Sequence, residues 1–302
     1  MFKKYLVKAI NNPRRAITFI KGKFYSFFVK KYFSSSKQNR SDSDDGLYVR
    51  SINSFLISQK KFNNFKNDPF YQSILEHASK KDGKKYLDIV LNQSPEIIES
   101  NLELFLQNDE IGNPVTYSYE SYGKISPSTL RYIKVASDIK TLFGESIGRK
   151  IVEIGGGYGG QALILDSLFN FQSIKIFDLH IVCNLITKYL EHFTLKNSYS
   201  VSSLNQARQE EYDLAISNYA FSELPRNIQL KYIEKVLQNS KRGYLTMNSG
   251  RTGDHAEKGK INPNRLRLKE LEKLLPDFEV FDEVPLTSEH NYLIVWGHNN
   301  SL

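Results

Sequence analysis

Cysteine is almost absent: Cys183 stands alone in 302 residues. An intrachain disulfide is therefore impossible, and a zinc site built on thiolates has no ligand set. No stretch reaches the roughly 18 uninterrupted apolar residues that a membrane-spanning helix needs. A soluble, cytoplasmic protein is the expectation. Acidic residues are missing from residues 1–40, which carry 11 Lys and Arg. The remainder holds 30 basic residues against 33 acidic ones, so the net charge of +8 belongs to a basic arm on a near-neutral body. That balance does not favour nucleic-acid binding across the body. Apolar residues are missing in turn from Ser34 to Gly46, and a segment with nothing to bury reads as a flexible linker. What remains is ordinary: 40% hydrophobic and 25% charged residues suit a globular chain.

Within the arm, Asn12-Pro13 reads as a cap followed by proline at the first helical position, opening a helix to about Phe33. Ile17, Ile20, Phe24, Phe27 and Phe28 share a face, with Lys23, Lys30 and Lys31 at its edges. A basic amphipathic arm over residues 1–33 suits an anionic membrane surface, which would make the protein peripheral on the inner face of the membrane. The plainer alternative is a helix packed on the body or on a second copy. Contact with RNA or DNA is a weaker third reading. A secretory signal fits poorly, because Phe24–Val29 is too short for its apolar core.

Residues 47–146 read as mainly helical, with apolar spacing of three and four around Leu47–Ile57, Phe70–His77, Tyr86–Leu91 and Ile97–Leu106. Ser94-Pro95 and Ser126-Pro127 look like helix starts, the second opening Pro127–Phe143. Tyr117, Tyr119 and Tyr122 gather before it. Tyrosine faces can stack on a sugar ring, although such clusters also occur as half-buried packing.

From about Arg149 short β-branched runs alternate with helical segments, the pattern of a parallel sheet flanked by helices. Strands are expected at Lys150–Ile154, Ser173–Phe177, Tyr199–Val201, Asp213–Ser217 and Tyr244–Met247. Helices are expected at Gly160–Phe169, Ile181–His192, Pro225–Gln238 and Asn264–Leu275. Phe278–Val284 and Tyr292–Trp296 then follow with no helix between them, as an antiparallel pair.

The first strand runs into I-G-G-G-Y-G-G, and Gly155, Gly157, Gly159 and Gly160 satisfy two phosphate-loop-like spacings at once. The glycines alone do not separate a dinucleotide from S-adenosylmethionine. Three neighbours favour the second. Glu153, two residues before Gly155, suits a cationic ligand and not a pyrophosphate. Asp178, closing the second strand, is placed to bond both ribose hydroxyls, which fits either nucleotide. The terminal antiparallel pair is expected of a methyltransferase sheet.

The strings V-E-I-G-G-G-Y-G-G-Q, I-F-D-L-H, Y-D-L-A-I-S-N-Y-A-F-S-E-L and G-Y-L-T-M-N resemble the sugar O-methyltransferase family. These are class I S-adenosylmethionine enzymes associated with bacterial surface polysaccharides. The resemblance covers roughly Ser126 to Trp296. It implies an α/β, Rossmann-like class I sheet over residues 147–302, mostly parallel with a C-terminal antiparallel strand and preceded by a helical region, 47–146, on the acceptor side. It implies S-adenosyl-L-methionine as cofactor, with contacts at Glu153, Gly155, Gly156, Gly157, Gly159, Gln161, Asp178, Leu179, Ser217 and Asn218, and an acceptor-side role for Asn218–Glu223. The partner implied is a saccharide acceptor, either a glycan or a nucleotide- or lipid-linked sugar. No metal is expected, since no ligand spacing demands one.

Methyl transfer to a hydroxyl requires alignment and removal of the acceptor proton. His255, in the glycine-bearing loop after the fifth strand, is the first candidate base, with Asp254 to orient it. Glu223 is the second. Tyr219, Tyr122, Arg131 and Asn248 are the candidate acceptor contacts. Competing readings are a nicotinamide-dependent sugar oxidoreductase or epimerase, a non-catalytic protein that retains the fold, and a nucleic-acid methyltransferase.

Overall fold

The computed structural model describes residues 46–251 and 264–299. The arm at 1–33, the linker up to Asp45, and the candidate pair Asp254 and His255 lie outside the described residues.

The chain opens with α1 Gly46–Ile57, α2 Gln59–Phe62, α3 Pro69–Ile74, α4 Lys80–Gln93 and α5 Pro95–Glu110. Side chains start several of these helices. Asp68 Oδ1 accepts from the N–H groups of Phe70 and Tyr71, both at 3.0 Å, and Ser79 with Asp82 forms a reciprocal capping box. Pro95 opens α5 as expected, but the Ser94 side chain makes no capping bond. The tyrosine cluster is not helical: it builds a hairpin, β1 Tyr117–Tyr119 with β2 Gly123–Ile125. α6 Pro127–Phe143 is capped by Ser126, whose Oγ accepts from Thr129 N–H at 3.1 Å, and Gly144 closes it at φ +78°.

The remainder alternates β3 Lys150–Ile154, α7 Gly160–Leu168, β4 Ser173–Phe177, α8 His180–Leu190, β5 Ser198–Ser202, β6 Leu214–Asn218, α9 Ala220–Glu223, α10 Arg226–Lys235, β7 Gly243–Met247, α11 Leu268–Leu271, β8 Glu279–Asp282 and β9 Tyr292–Trp296. The seven-stranded sheet has the order β5-β4-β3-β6-β7-β9-β8. Five strands are parallel, and β9 runs antiparallel between β7 and β8. This is the mostly parallel, Rossmann-like α/β sheet that the sequence predicts, including its antiparallel C-terminal strand.

Strand order reverses between β3 and β6, so a crevice opens above Ile154 and Asn218. One apolar core runs from Tyr48 through the N-terminal helices to Val295. A second lies under α10 and α11 on the opposite face. The helix expected at Asn264–Leu275 shrinks to the single turn of α11. Asn264 O accepts Arg226 N–H at 2.6 Å and Gln229 Oε1 accepts Leu266 N–H at 2.8 Å, so the start of α10 holds that segment out of a helix.

Candidate functional site

The switch-point crevice is lined by backbone that only glycine tolerates. Gly155 has φ +83°, and a Cβ there would stand 2.0 Å from the Ala220 Cβ. Gly157 has φ +61°, and a Cβ there would meet Leu75 at 3.5 Å. The loop is pinned by Gly155 N–H to Phe177 O at 2.8 Å and by Gly157 N–H to Asp178 Oδ2 at 3.1 Å. Gly159, at φ +97°, precedes the N-terminus of α7.

Two carboxylates face this loop from strand ends. Glu153 is 2% exposed, and its Oε2 has no hydrogen-bond partner. Burial, with the Asp178 charge adding to it, pushes the Glu153 carboxyl up to about 8. Asp178 Oδ1 accepts Leu179 N–H at 2.7 Å. Burial raises Asp178 to about 6, against the stabilising N–H groups of Leu179, Gly157 and Gly156.

The N-terminal helical region supplies the roof, through residues that the sequence did not single out. Leu75 lies over Gly157, and its carbonyl accepts from Arg131 Nη2 at 3.4 Å. Glu76 follows, its Oε1 sealed from solvent without a partner, and burial raises its carboxyl despite Lys66 and Arg131 nearby. Tyr48 of α1 is buried against the charges of Asp178 and Glu223. Tyr71 OH, Ser128 Oγ and Arg131 Nε are also buried and unpartnered. Tyr48 from α1, Tyr71 from α3 and Glu76 from the turn after α3 carry no local sequence signal for a site; the Asp68-Pro69 cap marks only the start of α3.

The other predicted cofactor residues divide by role. Gln161 Nε2 donates to Tyr132 O at 3.2 Å, and its Oε1 accepts from Asn218 Nδ2 at 3.4 Å. Ser217 is wholly buried; its Oγ donates to Ile154 O at 2.8 Å and accepts Phe221 N–H at 3.1 Å, welding the ends of β3 and β6 beneath the crevice. Leu179 packs at the core edge. Gly156 sits against Ile176, too tightly for a side chain.

Beyond Asn218 a cavity of about 370 Å³ runs between α6 and the strands β6, β7 and β9. Asn218, Tyr219 and Arg131 line it, with Tyr86, Tyr244 and Asp138. Tyr219 is held at φ +67°, a strained conformation for a bulky residue, and its hydroxyl donates to Glu283. Glu283 also accepts from Thr287 and Asn291. Glu223 and Asn248 are brought together, Asn248 Nδ2 donating to Glu223 Oε1 at 2.7 Å. Tyr122 stays in the hairpin turn and does not line the cavity. Among the described residues, no group of three or more His, Cys, Asp and Glu side chains gathers as a metal site. None of their helices is long and apolar enough to cross a membrane.

The unpartnered atoms around the glycine loop form a chemical pattern. Glu153 and Glu76 are acceptors for a cation, Arg131 Nε is a donor for a carboxylate, and Asp178 retains lone pairs for a diol. A diphosphate would add negative charge beside Asp178 and the raised carboxyls of Glu153 and Glu76, whereas a cation favours their ionised forms. The donor set therefore fits a zwitterionic, cation-bearing nucleoside.

No family model matches the sequence, and no curated protein matches it. Solved structures that it resembles include a SAM dependent methyltransferase from Aquifex aeolicus, 16% identical, covering 54% of this chain and 87% of that one at a TM-score of 0.39. The mitomycin 7-O-methyltransferase MmcR is 12% identical, covering 81% and 74% at 0.40. An S-adenosylmethionine-dependent methyltransferase from Clostridium acetobutylicum is 10% identical, covering 55% and 88% at 0.39. These are distant likenesses of chain path, with too little sequence in common to carry residue roles across.

Proposed function

We propose that the chain is an S-adenosylmethionine-dependent O-methyltransferase whose acceptor is a sugar hydroxyl. The observation that carries the cofactor is Glu153, a buried carboxylate with an unpartnered oxygen beside the glycine loop. An empty crevice gains nothing from that group, whereas a cationic ligand stabilises it. Bound there, S-adenosylmethionine would supply an electrophilic methyl group on a sulfonium that leaves readily as a neutral thioether.

The chain's own residues then bind and align. Asp178 takes the ribose hydroxyls, the loop N–H groups and the α7 N-terminus receive the nucleoside, and Arg131 takes the amino-acid carboxylate. Asn218 stands between the crevice and the cavity, so an acceptor in the cavity meets the cofactor at that residue. A saccharide suits the cavity because Tyr86, Tyr219 and Tyr244 offer ring faces while Asp138, Lys134 and Asn218 offer hydrogen bonds. The S-N-Y-A-F-S-E-L resemblance supports the same acceptor class.

Calorimetry with S-adenosylhomocysteine and with NAD(P) tests the cofactor. Tight dinucleotide binding without thioether-nucleoside binding would mark an oxidoreductase instead. Tritium transfer from labelled S-adenosylmethionine into fractionated cell-envelope saccharides then tests the acceptor, and label appearing only in protein or nucleic acid removes the sugar.

A further inference from the structure

The cavity beside Asn218 has a floor as well as a mouth. At the mouth Asn218 pairs in register with Thr246. Tyr244, paired with Ile216, lies two residues back along β7, which is roughly 6.6 Å deeper. There the Tyr244 hydroxyl donates to Asp138 Oδ2 at 2.6 Å, and Lys134 Nζ donates to the same oxygen at 2.5 Å. Asp138 is fully buried on α6 and lines the cavity, yet its Oδ1 has no hydrogen-bond partner.

Stability does not explain this group. Withdrawing an ion pair from water costs several kcal/mol per charge, and apolar residues of similar volume often hold such a helix equally well. An unsatisfied carboxylate oxygen adds to that cost. Burial pushes the Asp138 carboxyl up, while Lys134 and Tyr244 hold it down. The other titratable or charged side chains around the cavity are Tyr86, Arg131, Tyr219, Asp282 and Glu283, and none of them donates to Oδ1.

Resting on the reading of this cavity as the acceptor site, we infer that Asp138 selects the acceptor: Oδ1 accepts a hydrogen bond from one hydroxyl of a vicinal diol, while Lys134 donates to the other. The diol belongs to the non-reacting side of the sugar ring. The reacting hydroxyl must reach the strand ends at Asn218, whereas Asp138 stands on α6 with Lys134 and Tyr244 donating to its other oxygen, so it anchors and does not abstract the proton. One carboxylate acceptor beside one ammonium donor matches the donor and acceptor capacity of adjacent hydroxyls.

Saturation-transfer NMR on the full-length protein with S-adenosylhomocysteine tests this, using methyl glycosides of hexoses, 6-deoxyhexoses and uronic acids as probes. At least one glycoside should bind, and removing its anchored hydroxyl should weaken binding to the wild type about tenfold or more. Asp138→Asn should weaken the parent glycoside by about 10–100-fold, lose the discrimination against the deoxy sugar, and leave S-adenosylhomocysteine affinity within about twofold. Because Asp138→Asn leaves Lys134 buried without a counter-charge, the double variant Lys134→Met/Asp138→Leu removes the pair whole and should likewise lose the glycoside. The inference is overturned if no glycoside binds the wild type, if every deoxy sugar binds as well as its parent, or if either variant discriminates as the wild type does. Should the wild type bind glycosides through Asp138 but not S-adenosylhomocysteine, the cofactor reading falls and the anchor stands.

Discussion

Gly157 donates its backbone N–H to Asp178 Oδ2 at 3.1 Å, tying the turn of the glycine loop to the end of β4. The same carboxylate accepts Leu179 N–H at 2.7 Å, and with a pKa near 6 it is mostly ionised at neutral pH. Asp178 therefore shapes the loop and keeps acceptor capacity for a ligand diol.

Asp178→Ala removes both contributions. The dissociation constant for S-adenosylhomocysteine should rise about 10–100-fold, the worth of one or two charge-assisted hydrogen bonds. Calorimetry measures it. Unchanged affinity would falsify the ribose contact.

Glu153 makes stability depend on pH. Its carboxyl is near 4.5 in the unfolded chain and near 8 when folded. A raised pKa contributes stability below the unfolded value, and that contribution is lost as pH rises through the folded value. The melting temperature of the ligand-free wild type should therefore fall relative to Glu153→Gln between pH 5 and 8, and the gap should level off above 8. Each unit of difference is worth about 1.4 kcal/mol, so a gap of several kcal/mol is the upper limit. A constant gap across that range would mean that Glu153 stays ionised in the empty crevice.

Much of this sheet was legible because its strands are short apolar runs bounded by turns and charges. Lys150–Ile154 and Ser173–Phe177 are observed with the expected limits, and the glycine run places the loop between β3 and α7. The roof was not legible. Tyr48, Tyr71 and Glu76 reach the crevice through tertiary packing of α1, α3 and the turn after α3, which no local pattern encodes. Lys134 and Asp138 stand at i, i+4 spacing, which by itself marks no site; only the burial of α6 places them at the cavity. The one-turn α11 shows the opposite case, a helical pattern overridden by bonds from α10.

Gly155→Ala tests how closely the start of α9 must approach the loop. Its Cβ would stand 2.0 Å from the Ala220 Cβ, at a backbone φ of +83° that alanine disfavours. Strain of about 1–3 kcal/mol comes from the backbone alone. A melting temperature lowered by several degrees, together with lost S-adenosylhomocysteine binding, is expected. A variant with wild-type stability and affinity would show that the turn yields easily.

Residues 1–33 carry nine Lys and Arg and no acidic residue, a charge balance that suits an anionic surface. Deleting residues 1–33 should abolish sedimentation with phosphatidylserine vesicles at low salt and leave methylation of a soluble acceptor unchanged. Binding by the full chain should weaken as ionic strength shortens the screening length. Persistence of vesicle binding after the deletion would place the attraction elsewhere.

His255 and Glu223 are the two candidates for taking the acceptor proton. Glu223 is already bonded to Asn248 at 2.7 Å, which suits a carboxylate that holds the end of β7. Arg251, the last described residue before the loop, pairs at 2.7 Å with Asp282, which lines the cavity. His255 follows four residues later in sequence. An imidazole with an ordinary pKa of about 6.5 can take a proton at neutral pH. His255→Ala should lower kcat by about 10²–10⁴-fold, the usual worth of a positioned base, with S-adenosylhomocysteine affinity retained. Glu223→Gln should cost less and should shift KM more than kcat, since it loosens Asn248. Wild-type turnover in His255→Ala with collapse in Glu223→Gln would transfer the proton to Glu223 and leave the loop histidine without a chemical role.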